Sequence, residues 1–401
     1  MKRVELLAPA GDLSKLKIAI LYGANAVFCG GKQFSLRAKA NNFSLDDLKE
    51  AVIFANKHNS KIHVTVNIVP EDFDFNSLDE YLLSLDKIGV HAIIVSSVYI
   101  MKRAKELNCK FEVHVSTQQS IANKKAIEFF KDIVNVDRVV LARELNIDEI
   151  KEIKENSSFP LEAFIHGGMC SSYSGRCTLS NSMASRDANK GGCAHSCRWT
   201  YHLYEKDNRI GEQNFIIASC DLMSIDYIPM LLDANIDSFK IEGRMKSIHY
   251  IATVVSAYRR LIDEYYLKGS ISQNRLNYYK KEIQKAENRI TYTGFLNKAM
   301  KHQALLLNTG VENPTQAFIG LVLAGKDKDG YTLIEVRNHF EKGVKAECFL
   351  PDGTTYNITL NNIKDLDDND VLVARHPKQL LKNKAKKDLP INTFIRLKSK
   401  L

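Results

Sequence analysis

Over residues 4–269, short β-branched or apolar runs alternate with amphipathic helical stretches at a period of roughly 30 residues, and this rhythm implies parallel βα units. The spacing predicts strands over 5–8, 26–29, 63–68, 92–95, 111–115, 138–141, 161–165 and 238–241, with helices over 14–22, 45–56, 77–87, 122–131 and 148–155. Eight strands with intervening helices is the count of a TIM-type barrel, an incomplete or open sheet being the alternative.

The rhythm breaks once. After the seventh run the expected helix is displaced by a stretch rich in Gly, Ser, Cys and Arg, about 167–199. A long insertion at the rim of a barrel needs a reason. A hairpin-like pair at 201–204 and 214–218 follows, then helical patterns at 225–232, 248–266 and 273–288. Beyond Asn308 the period becomes strand-like, with short alternating runs at 318–323, 331–335, 346–350, 356–360 and 371–374. Gly330, Asp352-Gly353 and Asn369-Asp370 punctuate them as turns. The expected organisation is therefore a TIM-barrel-like α/β domain over 1–296, a linker over 297–314 and a small antiparallel β-barrel over 315–401.

Charge is unevenly distributed. The 401 residues carry a net charge of +9, and 375–401 hold nine Lys/Arg against the single acid Asp388, so nearly all of the surplus lies there. Such a concentration attracts phosphates by counterion release, which points to nucleic acid; the plainer reading is a solvated basic tail. No run approaches 18 apolar residues, so no membrane span is expected. The reading is a cytoplasmic protein with reduced thiols, for which DNA is not an expected partner.

Four of the eight cysteines fall close together, as Cys170-x6-Cys177-x15-Cys193-x3-Cys197, among glycines 167, 168, 175, 191 and 192. Clustered thiols in a reducing compartment argue for metal rather than disulfides. Four thiolates suit zinc or an iron–sulfur cluster, and the lack of paired C-x2-C knuckles favours iron–sulfur. Arg176 and Arg198 flank the ligands and would offset their charge. Cys220 is a competing fourth ligand, while Cys29, Cys109 and Cys348 read as packing residues.

Chemistry in such barrels sits at the C-terminal ends of strands. Those ends carry Arg37, Asn67, Gln118 and Gln119, Arg143 and Glu144, His166, and Lys240, Glu242 and Arg244. Each alone could cap a helix or pair with a neighbour; recurrence at several strand ends is the stronger signal.

The run Glu162-Ala163-Phe164-Ile165-His166-Gly167-Gly168-Met169-Cys170, followed by Ser174-Gly175-Arg176-Cys177-Thr178-Leu179-Ser180, resembles the signature of the collagenase-like peptidase family, family thirty-two of unassigned mechanism. Phe239-Lys240-Ile241-Glu242-Gly243-Arg244, Gly192-Cys193, Cys197-Arg198-Trp199 and Ala374-Arg375-His376-Pro377 resemble further blocks, so the resemblance covers nearly the whole chain. It implies one of two activities. One is a peptidase acting on collagen-like substrates. The other is an oxygen-independent hydroxylase with a [4Fe-4S] cluster, including a branch that forms 5-hydroxyuridine at the tRNA wobble position with prephenate, and branches acting on ribosomal RNA or a quinone precursor. Two departures stand out: Met223 where many members have cysteine, and Ser97-Val98-Tyr99 where many have Asp-Pro-Gly.

The residues favour the hydroxylase. No oriented Ser/His/Asp set or H-E-x-x-H helix is evident, and metal ligation uses all four clustered thiols at once. On this reading Cys170, Cys177, Cys193 and Cys197 hold the cluster. Arg37, Arg143, Lys240 and Arg244 bind carboxylates or phosphates, and His166 and Glu242 are the acid–base candidates. Trp199 and Tyr173 offer faces for stacking on a base, core packing being the simpler role for Trp199. tRNA is the expected partner, with a paralogous protein as a further one. A peptidase, and a non-catalytic RNA-binding protein with a structural cluster or zinc, are the competing readings.

Overall fold

The computed structural model describes residues 3–36, 42–286, 289–298, 317–385 and 387–397. All eight expected strands form: β1 (Glu5–Pro9), β2 (Ala26–Gly30), β3 (Lys61–Val66), β4 (Ala92–Val95), β5 (Glu112–Val115), β6 (Arg138–Val140), β7 (Leu161–Gly167) and, closing the ring, residues Ser238–Ile241. They pair in parallel in chain order, and the last pairs with both β7 and β1, so the barrel is closed. The intervening helices are α1 (Leu13–Leu21), α2 (Leu45–Lys57), α3 (Leu78–Ile88), α4 (Val98–Glu106), α5 (Lys124–Phe129) and α6 (Ile147–Glu155). Their starts are fixed by side-chain caps: Asp12, Ser44, Ser97, Asn123 and Asn146 each accept a backbone N–H of the first turn.

Between β7 and the closing strand the chain leaves the barrel. It makes a short helix, α7 (Leu179–Ala184), then an antiparallel hairpin of β8 (Tyr201–Glu205) and β9 (Asn208–Phe215). The second arm therefore lies earlier than the expected 214–218. A strand absent from the sequence reading follows: β10 (Asp221–Met223) lies antiparallel to the end of β7 and pairs in turn with Thr291–Tyr292. After α8 (Ile228–Asp233) comes the eighth barrel strand, β11 (Ser238–Ile241), with a bulge between Lys240 and Ile241. Then come α9 (Ile248–Lys268), α10 (Gln273–Gln284) and β12 (Thr291–Tyr292).

The expected linker falls almost wholly outside the described residues. Beyond it lies an antiparallel seven-stranded half-barrel around its own apolar core. Its strands are β13 (Phe318–Lys326), β14 (Tyr331–Val336), β16 (Lys345–Phe349), β17 (Thr355–Thr359), β18 (Ile363–Lys364), β20 (Leu380–Lys384) and β21 (Phe394–Leu397), with the small ladder β15 (Phe340–Glu341) and β19 (Val373–Ala374) beside it. The solvated-tail reading of 375–401 is corrected here. Two of these strands belong to that stretch, and Arg396 within it is fully buried, its Nε donating to Glu347 at 2.6 Å.

The half-barrel docks on the βα barrel. Ile18, Tyr22, Ile248 and Ala252 pack against Leu321, Phe349 and Phe394. Tyr22 Oη also donates towards the carbonyls of Phe349 (3.0 Å) and Asn392 (2.9 Å). No helix among the described residues is long and apolar enough to cross a membrane.

Candidate active site at the barrel mouth

The Cys-rich insertion is strapped across the mouth by the loops that follow four barrel strands. It begins at Gly167, whose φ of +106° and close approach to the Glu242 carbonyl would leave a side chain strained and without room. Arg143, over the Phe164 ring at 3.8 Å, donates to the Gly168 carbonyl at 2.7 Å. Next door, Glu144 accepts from Ser174 N (2.6 Å) and Ser174 Oγ (2.9 Å). Arg176 reaches Gln119 at 3.4 Å, and Lys190 pairs with Glu71 at 2.5 Å while Val69 N donates to the Asn189 carbonyl.

All four clustered cysteines lie on this strap. Ser172 N donates to Cys170 Sγ at 3.4 Å and Leu179 N to Cys177 Sγ at 3.3 Å, the kind of contact that stabilises anionic sulfur. Cys170 is exposed by surface area yet crowded by protein; that desolvation raises its thiol. Ser172 N–H and Arg143 oppose the rise, and the sulfurs of Cys177 and Cys197 add to it. Ser180 Oγ lies 3.9 Å from Cys193 Sγ. The donor set fits a soft metal centre. The sulfurs are not drawn to bonding distance: among the described residues no three His, Cys, Asp or Glu side chains meet at metal-ligand spacing. Cys220 sits instead in a small apolar cluster with Ile216, Ala218 and Tyr292.

The other expected site residues occupy distinct places. Arg37 lies outside the described residues. Arg244 is buried at the mouth, its Nη1 donating to the Leu36 carbonyl (3.1 Å) and its Nη2 to Asn42 (2.8 Å). It thereby braces the β2–α2 loop, and Gly30 passes too close beneath the guanidinium to carry a side chain. Asn67 joins the same rim, linking Leu36 N to Gln118. Lys240 is placed inside the barrel rather than on its rim, 2.8 Å from the fully buried Glu162 and over the Phe28 ring. Glu162 also meets Arg138, which binds Glu5 at 2.5 Å, so an ionic layer lies within the barrel.

His166 is buried against the tyrosines of α9, Nδ1 lying 3.2 Å from Tyr258 Oη. Burial pushes its imidazole down to about 3, Asp221 raising it and Lys246 lowering it further. It is therefore neutral at physiological pH. Glu242, also buried, is fixed through its backbone: its N–H donates to the His166 carbonyl and its carbonyl accepts from Tyr250.

Tyr173 and Trp199 are both exposed, so Trp199 is not a core residue. Sequence reasoning missed Asp221, Lys246 and Arg289, which meet beside Gly168. Asp221 follows Cys220 directly, but nothing in the local pattern marks it. On the half-barrel, exposed Lys384 and Lys387 lie over the rings of Tyr331 and Tyr356, at 5.3 and 4.8 Å.

Residues 11–305 match the profile of peptidase family U32 and residues 314–396 that of the peptidase family U32 C-terminal domain. The tRNA hydroxylation protein P1 of Bacillus subtilis is 42% identical over 404 residues, covering 98% of this chain and 95% of that protein. The 23S rRNA 5-hydroxycytidine C2501 synthase of Escherichia coli is 37% identical over 263 residues, covering 65% of this chain and 39% of that one. A collagenase of Porphyromonas gingivalis is 34% identical over 306 residues, covering 73% of each.

Proposed function

The chain belongs to peptidase family U32, and on that footing we propose that it is an RNA hydroxylase acting on tRNA, forming 5-hydroxyuridine at the wobble position with prephenate as co-substrate. The observation that carries this reading is full-length similarity to a tRNA hydroxylation protein, joined to a four-cysteine strap pinned over a barrel mouth rimmed by arginines.

Cys170, Cys177, Cys193 and Cys197 would hold a [4Fe-4S] cluster, which when bound supplies one-electron redox chemistry at the mouth. The strap contacts of Glu144, Gln119 and Glu71 keep the ligand loop over the mouth. Arg143, half-buried at the mouth, would offer a guanidinium group to a carboxylate or phosphate, and Arg244, buried and committed to the β2–α2 loop, would act by bracing that loop. Glu242 at the rim is the acid–base candidate. His166, neutral and held by Tyr258, acts as a hydrogen-bond partner that fixes the β7 turn. The exposed Lys–Tyr pairs of the half-barrel would grip RNA by charge and stacking.

The test is nucleoside mass spectrometry of tRNA from a deletion strain. Wild type should restore wobble hydroxylation and Cys170→Ala should not, while anaerobically purified wild type should contain iron and sulfide and the variant little of either. Unmodified tRNA in the complemented strain, with gelatin cleaved by metal-free protein and cleavage abolished by a Cys-to-Ala change, would establish the peptidase instead.

A further inference from the structure

Strands β3 and β5 alternate: Val64, Val66, Val113 and Val115 belong to the core shared with the helices, so His63, Thr65, His114 and Ser116 face the barrel axis. Asn67 continues that inward series just past β3, and Gln118 is kept on the inner side past β5 by its bonds to Ser116. The two side chains meet across the end of β4, Asn67 Nδ2 donating to Gln118 Oε1 at 2.8 Å. Gln118, 6% exposed, thus belongs to the floor of the mouth. A backbone N–H decides which way both amides point. Leu36 N donates to Asn67 Oδ1 at 3.2 Å, so Asn67 has only its Nδ2 to give to Gln118. Gln118 therefore receives through Oε1, which also takes the Ser116 hydroxyl at 3.1 Å, while Ser116 Oγ accepts Gln118 N at 3.4 Å. Gln118 Nε2 is left as a donor, and no group among the described residues accepts from it. Buried amide groups ordinarily have partners. Gln119, next in the chain, accepts from Arg176 at 3.4 Å, so the cysteine strap passes beside the same corner.

We propose that Gln118, oriented by Asn67 and Ser116, reads the pyrimidine to be hydroxylated: its Nε2 donates to O4 of uracil and rejects cytosine, which presents an amino donor at that position. A neutral amide suits a neutral carbonyl oxygen, whereas a carboxylate is better matched by a guanidinium. O4 is carried by the carbon next to C5, so a contact there holds the reacting edge of the base towards the strap. The inference rests on the hydroxylase reading for the RNA that carries the base; the fixed polarity of the amide pair does not depend on it.

The test uses the full chain, wild type and the variants Gln118→Met and Gln118→Glu, with fluorescence anisotropy of anticodon stem–loops that differ only in the wobble base: uridine, cytidine, or 4-deoxyuridine, which lacks O4. Wild type should bind the uridine form about ten- to a hundredfold more tightly than the cytidine form. Gln118→Met should bring the two together. Gln118→Glu, which turns the donor into an acceptor, should reverse their order. A uridine preference unchanged in both folded variants overturns the proposal. So does loss of prephenate affinity in Gln118→Met with the base preference intact, which would place a carboxylate on the amide instead. If neither variant folds, wild type decides: it must bind the uridine form more tightly than the 4-deoxyuridine form, and equal affinity for all three stem–loops, or none for any, rejects the proposal. Failure of the hydroxylase reading is seen separately, as unmodified wobble uridine in the complemented strain with the base preference present.

Discussion

Lys240 and Glu162 meet at 2.8 Å in the barrel interior, where both have lost nearly all contact with water. Desolvation alone would raise the Glu162 carboxyl, but Lys240 and Arg138 overcome it and hold it at about 2. Removing one partner of such a pair leaves an uncompensated buried charge, so Lys240→Met should cost about 3–5 kcal/mol, read by urea unfolding. A loss below about 1 kcal/mol would return Lys240 to the list of substrate-binding residues. This residue also marks where sequence reading stops. Its place near a strand end was legible, because strand and helix periods differ. Its partner was not, because the register that sets Ser238 opposite Glu162 is decided by barrel closure. Arg396 is similar: one more charge in a basic stretch, yet its partners Glu347 and Glu282 lie on distant elements.

Among the elements, the cysteine strap has few regular hydrogen bonds of its own and depends on its anchors. Ser174, itself in a left-handed conformation at φ +49°, is held by both oxygens of Glu144. Glu144→Ala should release the strap while leaving the ionic layer of the barrel untouched. Backbone hydrogen exchange over 170–198 should quicken at least tenfold and bound iron should fall, with little change in global melting temperature. Unchanged exchange there would show that the remaining anchors suffice. The insertion itself was visible as a broken rhythm, and the eight strands as β-branched runs. Strand β10 was invisible because three residues carry no period, β20 was masked by Lys382 and Lys384, which alternate outward from a buried face, and β21 by its shortness and by Arg396, a charged residue buried within it.

For the whole molecule, acid sensitivity follows from buried imidazoles. Burial pushes His63, His166 and His249 each down to about 3 and lowers His114 as well. A neutral buried histidine binds fewer protons folded than unfolded. Its contribution is therefore complete above about pH 6.5 and is lost as pH falls towards 3. Glu112, hydrogen-bonded to His114, and Glu162 are held at about 2, so their contribution persists until pH falls below about 4.5. The melting temperature should thus decline in two stages, the first between pH 6.5 and 5. His249 stacks on Phe318 at the junction of the two domains, rings 5.4 Å apart and 13° from parallel. His249→Phe should keep the stack and gain more stability over wild type at pH 5 than at pH 8; equal differences at both would assign the first stage to other groups.

Closure of the ring by β11 has a consequence for synthesis. Strand β1 leaves the ribosome well before β11, and its second edge is covered only when Ser238–Ile241 has also emerged, after the whole cysteine strap. Until then the nascent chain exposes an unpaired parallel edge of Glu5, Leu6 and Leu7, a template for association with other chains. Translation stalled upstream of that strand should consequently yield aggregates, and the thiols are exposed to metal or oxidant before the barrel around them can shut.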